Sequence, residues 1–266
     1  MKKLITILFL VLAVANTESI KAQEIVNVEY RSSIIPAVAR LLTTQLGLTI
    51  DIDYATDLYI VQYTTTGSDM MPDTASGLFM IPSGVEGPLP LMVYQHGTTD
   101  GRFDVPSRLG AAYQLGVLFS GKGMAVLAPD FLGMGDSRGF HPYVHAETEA
   151  TAAIDMLAAM KTFLKEQEIE YTDQLFLTGY SQGGHAAMAL HEYIETEIPD
   201  ELTVTASLPM SGPYSISGVM RDVAYSDEEF FFPSYLVYST RGLKEIYPDL
   251  YDSEAQIFKA PYLPAI

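Results

Sequence analysis

The chemistry in this chain of 266 residues starts from one serine set between glycines. Gly179-Tyr180-Ser181-Gln182-Gly183 reads G-x-S-x-G, the spacing that presents a serine hydroxyl on a sharp strand-to-helix turn for nucleophilic attack. The pattern is short enough to arise by chance, so its setting matters. "QLFLTGY" before it has strand character and "QGGHAAMALHEYI" after it has helical character, as the turn requires. Gly179 and Gly183 stand where side chains would collide in such a turn, and Gly184 lets helix and strand pack closely. These neighbours separate the segment from a glycine-rich turn with an idle serine.

A serine that attacks a carbonyl needs N–H donors aimed at the oxygen that gains charge. One comes from the residue after the nucleophile, here Gln182. The other comes from the loop after an earlier strand. The strand Leu91 to Gln95 runs into His96-Gly97-Thr98, so Thr98 or Gly97 fills that place, with His96 as a brace for the loop. A third feature, Ala128 to Ser137 ("APDFLGMGDS"), follows a strand and turns on two glycines. It lacks the G-x-G-x-x-G spacing and a lysine, which sets phosphate binding aside. His141 and His145 are four apart, but Gly139 and Pro142 argue for a loop and no Glu lies between them. A structural or pocket-rim role fits them better than metal binding. No metal or cofactor is called for.

The elements that must hold these residues follow from periodicity. Pro36 to Gly47 reads as a helix opened by Pro and closed by Gly. Leu58 to Thr66 and Ala75 to Pro82 read as strands paired antiparallel at a sheet edge. Leu89 to Gly97 is continuously apolar, as in a strand covered on both faces. A helix through Ala111 to Phe119, a strand at Met124 to Leu127 and a helix from Thr148 to Glu166 follow. The last carries Ala152, Ala153, Met156, Leu157, Met160 and Leu164 at helical spacing. Strand Gln174 to Leu177, helix Gln182 to Ile194 and strand Leu202 to Pro209 complete the alternation. It predicts a mostly parallel sheet with helices on both faces. Residues 213–266 then hold 11 of the 29 aromatics and read as helices laid over the sheet, broken by Pro233.

Composition narrows the function. A net charge of −18 argues against nucleic-acid binding, which needs Lys and Arg for phosphate contacts. Lys2 and Lys3 precede an apolar run from Leu4 to Ala15 that is too short to span a bilayer, as in an export signal. Cleavage after Ala15 or Ala22 is expected, leaving a periplasmic or secreted chain with no membrane span. The absence of cysteine excludes a disulfide and a lipid-anchored cysteine.

Taken in order, H-G-T, then P-D-F-L-G-M-G-D-S with H-P-Y-V-H-A-E-T-E-A, then G-Y-S-Q-G-G-H-A, then S-G-P-Y resemble the α/β-hydrolase superfamily. Within it the chain is most similar to exported bacterial esterases and lipases akin to the secretory lipase family, over roughly Asp57 to Tyr238. The resemblance implies an α/β-hydrolase core over 23–212 and an aromatic helical lid beginning in 213–266. It makes Ser181 the nucleophile, with Gln182 and Thr98 lending backbone N–H groups. A small ester or lipid is the implied substrate; a serine peptidase on the same fold and a non-catalytic binding protein are the alternatives.

One departure stands out. The family order is Ser, then Asp or Glu, then His. After Ser181 come only His185 and His191, both on the helix that leaves the turn. Asp222, Asp227, Asp249 and Asp252 do not follow an apolar strand run, where the family places its acid. The expectation is therefore a chain truncated at its C-terminus, inactive alone, with acid and base beyond residue 266.

Overall fold

The computed structural model describes residues 24–99, 101–110, 113–227, 229 and 232–263. The expected export signal over 1–22 lies outside the described residues. Among the described residues one sheet holds seven strands: β1 (Ile25–Ile34), β2 (Ala55–Thr66), β3 (Pro72–Ser83), β4 (Leu89–Gln95), β5 (Ala125–Pro129), β6 (Tyr171–Tyr180) and β7 (Ala206–Met210). Their spatial order is β1-β2-β3-β5-β4-β6-β7. β1, β2 and β3 form an antiparallel meander that joins β5 antiparallel, while β5, β4, β6 and β7 run parallel.

β2 and β3 pair as the sequence predicts, with Tyr59 opposite Phe79 and Val61 opposite Gly77. They are not at the edge, however, because β1 adds outside β2. β1 escapes sequence reading because it is mostly exposed: Val26 and Tyr30 face solvent, and its burial does not alternate cleanly.

The helices are α1 (Pro36–Gln45), α2 (Tyr113–Ser120), α3 (Ala146–Glu166), α4 (Gln182–Glu197), α5 (Arg221–Ala224), α6 (Pro233–Ile246) and α7 (Glu254–Ile257). Successive strand residues point to opposite faces. Leu91 and Val93 of β4 therefore join the core beneath α3 and α4, with Met156, Met160 and Leu190. Met92 and Tyr94 join the opposite core, with Ala39 of α1 and Val117 of α2. Every residue of β5 is buried, as for a central strand covered on both faces.

Pro233 does not break a helix; it opens α6 at its first turn, where a missing N–H costs nothing. Among the described residues no helix is long and apolar enough to cross a membrane. The loops that follow the carboxyl ends of β4, β5 and β6 carry His96 to Thr98, Asp130 to Ser137 and Ser181, so the parallel half of the sheet gathers the candidate residues at one end.

Candidate active site

Ser181 lies between β6 and α4 with φ 58° and ψ −121°, a region that residues other than glycine seldom occupy. Three contacts hold it there. Its N–H donates to Met210 O of β7 at 2.9 Å, and its carbonyl accepts from Gly184 N and His185 N. A Cβ on Gly179 would overlap Gly183 O and sit 2.7 Å from Gln95 O; one on Gly183 would overlap Gln95 O and sit 2.7 Å from His96 O. The turn is thus wedged against the end of β4 with no room for side chains. The hydroxyl of Ser181 makes no hydrogen bond among the described residues, and the residue is half-buried.

Such strain costs about 1–3 kcal/mol. Ser181→Gly should release it, offset in part by the greater freedom of glycine in the unfolded chain. The expected net result is a stability gain of about 1 kcal/mol, read by calorimetry as a rise of a few degrees in Tm. An unchanged or lower Tm would show that the backbone is relaxed there.

The loop after β4 closes on the serine. A Cβ on Gly97 would fall 3.2 Å from Tyr180 O and 3.9 Å from Ser181 Cβ, so this backbone passes directly beside Ser181. The backbone N–H groups of Thr98 and Gln182 have no partner among the described residues. That of Gln182 is free because it opens α4, where the first N–H groups have no intrahelical acceptor. His96 is buried, with Nδ1 2.8 Å from Gly97 O and Nε2 3.3 Å from Asp130 O, and its ring lies 4.5 Å from that of Phe131. It thereby ties the loops after β4 and β5 together. Asp130 is fully buried and accepts from Ser76 Oγ at 2.6 Å and Ser107 N at 2.9 Å. Desolvation pushes its carboxyl above the usual carboxylate range.

Two site residues were not singled out by sequence reasoning. Tyr143 donates to or accepts from Thr98 Oγ1 at 2.8 Å, and Tyr238 of α6 stacks on its ring at 4.5 Å. Glu149 of α3 is buried, with Oε1 2.9 Å from Gln182 Nε2 and Oε2 2.7 Å from His185 Nδ1. A signal for Glu149 was present: it stands three, four and seven residues before Ala152, Ala153 and Met156, inside the apolar stripe of its helix. Tyr143 left no such trace, because a tyrosine in a loop has no period to violate.

A cavity of about 410 Å³ opens beside Thr98, walled by Arg102, Phe140, His141, Tyr235 and Tyr238. Ser181 is not in its lining, so the cavity meets the site through Thr98. The guanidinium of Arg102 is taken up by the carbonyls of Gly135, Ser137 and Gly139, which fixes the β5 loop as the cavity wall.

No family model and no curated protein matches the chain. Solved structures do. A protein from Legionella pneumophila described as a hydrolase superposes with a TM-score of 0.81 at 31% identity, over 91% of this chain and 66% of its own. The rice cell wall degrading esterase LipA from Xanthomonas oryzae gives 0.81 at 28% identity, over 90% and 64%. The chain has the α/β-hydrolase fold. Candida antarctica lipase A shares that fold at 17% identity, with a TM-score of 0.63 over 91% of this chain and 53% of its own. The chain spans slightly less than two thirds of the Legionella protein and of LipA.

Against the α/β-hydrolase fold the positions of the five histidines matter. His185 is paired with Glu149, and His191 with Glu195 at 3.2 Å. His96 faces two carbonyls. His145 caps α3, with Nδ1 accepting from Thr148 N. His141 sits in the loop before α3, so the two do not share a helical face. Its Nδ1–H donates to Leu132 O at 2.8 Å, and its Nε2, 2.6 Å from Gln182 Nε2, accepts from that amide. None of the five imidazole rings has a hydrogen bond to the Ser181 hydroxyl among the described residues.

Burial pushes the His141 imidazole down to about 4. An unfolded histidine takes its proton near pH 6.5. Below that pH the unfolded state binds a proton that the folded state refuses, so stability falls as pH drops from 6.5 to about 4 and then levels, a loss of about 3 kcal/mol from this residue. His141→Asn should flatten that part of the curve in denaturant titrations. An unchanged slope would assign the acid sensitivity to other groups.

Proposed function

We propose that this chain carries the nucleophile and oxyanion donors of an exported serine hydrolase acting on carboxylic esters. The observation that carries the reading is the conformation of Ser181: strained, held from both sides, and with its hydroxyl and the N–H groups of Thr98 and Gln182 unpartnered among the described residues. In the proposed reaction Ser181 Oγ bonds to the ester carbonyl carbon as its proton passes to a base. The carbonyl π electrons move to oxygen, where Thr98 and Gln182 donate. Collapse expels the alcohol with that proton and leaves an acyl-serine, which water opens by the same steps.

The base is none of the five histidines, since each is engaged elsewhere. The esterase and lipase neighbours support ester over amide substrates, and Tyr235 and Tyr238 of α6 supply aromatic walls to the cavity. The engaged histidines also give weight to a second reading, a binding protein on a hydrolase scaffold.

The test uses the protein as its own cells produce it, beside the chain of 266 residues. The natural product is expected to hydrolyse nitrophenyl butyrate and not a dipeptide anilide, to place a fluorophosphonate label on Ser181, and to begin at Asn16 or Gln23. The chain of 266 residues is expected to show no turnover. Turnover by it through one of the five histidines would overturn the base assignment. A natural product whose Ser181 ignores the probe would favour the binding protein.

A further inference from the structure

We propose that Glu149 is a positioning residue that holds the Gln182 oxyanion donor in place through its side chain. The inference rests on the reading of Ser181 as nucleophile.

A buried carboxylate is costly unless both oxygens find donors, and an apolar side chain at the same point of α3 would pack against Ala152 and Ala153 at no such cost. Glu149 is 1% exposed. Both of its partners lie in the first turn of α4: Gln182 directly after the nucleophile, and His185 one turn on. One carboxylate therefore clamps the turn whose leading N–H is uncommitted.

The amide of Gln182 is fixed from two sides. One N–H of Nε2 goes to Glu149 Oε1 at 2.9 Å and the other to His141 Nε2 at 2.6 Å. The second bond needs His141 neutral with its proton on Nδ1, which is the tautomer that the Leu132 carbonyl selects. With both protons used, the side chain has one orientation, and the backbone that carries it is pinned. Oxyanion donors work by being aimed before charge develops, so small errors in aim are expensive. Glu149 is also in the first turn of α3, where the helix dipole favours a carboxylate. The clamp thus joins the starts of two helices, α3 and α4, under the nucleophile.

The test reads fluorophosphonate labelling of Ser181 in the natural gene product, separating the maximal rate kinact from the half-saturating concentration KI. Glu149→Leu is expected to lower kinact about 30-fold with KI within about twofold, a fraction of the loss seen when an oxyanion donor is removed outright. Glu149→Gln keeps an oxygen for Gln182 and should restore kinact to within about threefold of the parent. Gln182→Met keeps the backbone N–H and deletes the amide. Combined with Glu149→Leu, it should be no slower than Gln182→Met alone, because the carboxylate acts through that amide.

A folded Glu149→Leu protein with unchanged kinact, or losses that add in the double variant, would overturn the proposal. Should Glu149→Leu fail to fold, the same cycle with Glu149→Ala and Gln182→Met decides by the same additivity criterion. A parent protein that is not labelled at all fails at the reading of Ser181, before any variant is compared, and removes the oxyanion that Glu149 would serve.

Discussion

Ser181→Ala is expected to lower kcat for ester hydrolysis by about 10⁴-fold or more, while Tm changes little. The two halves of this expectation have separate causes. In the proposed reaction Oγ forms the acyl bond, so its loss removes the covalent route and leaves only the proposed oxyanion donors and the bound geometry. Yet the hydroxyl has no hydrogen-bond partner among the described residues, so folding loses no bond with it. Alanine keeps the Cβ and hence the strained backbone at φ 58°. Stability should stay within about 0.5 kcal/mol. The check is kcat and Tm on the same preparation of the natural product. Residual turnover near the parent level would move the nucleophile elsewhere.

Gly183→Ala should damage the fold itself, by about 3 kcal/mol or more. The added methyl would overlap Gln95 O and crowd His96 O, both main-chain atoms. They have nowhere to go, because β4 lies between β5 and β6, and Gln95 is paired with Gly179 across the sheet. Any relief must push α4 away from the sheet, which also moves Ser181 and the N–H of Gln182. Lost stability and lost labelling of Ser181 should therefore appear together. Gly101→Ala is the matched control, since its Cβ would meet nothing within 4 Å. A Gly183→Ala protein with the parent's Tm would mean that the turn is looser than this contact implies.

Much of this architecture could be read from residue order, for reasons that differ by element. β4 is apolar from Leu89 to Tyr94 and β5 throughout because both faces are covered, and α3 shows its core face through Ala152, Met156 and Met160. The serine turn was legible because its glycines are forced by steric contact. What could not be read was set by tertiary contact alone. β1 owes its existence to pairing with β2, so its own sequence shows little. Pro233 can open a helix or break one, and only the chain before it decides. Thr98 and Tyr143 meet across the site although their contact spans two loops. Glu149 was visible as an anomaly, a charge in an apolar stripe, but its partners on α4 were not.

The position of β4 has a consequence for how the molecule comes to exist. Both of its neighbours, β5 and β6, follow it in the chain. The strand that delivers His96 to Thr98 thus has no parallel partner until later segments have been made, and its second partner is β6, which ends one residue before Ser181. The contacts that flank β4 are long-range, unlike those of the local β2–β3 hairpin. Because β6 pairs with β4 and leads into Ser181, a nascent chain that has not yet passed Gly179 lacks the contact that sets Gly97 beside Ser181.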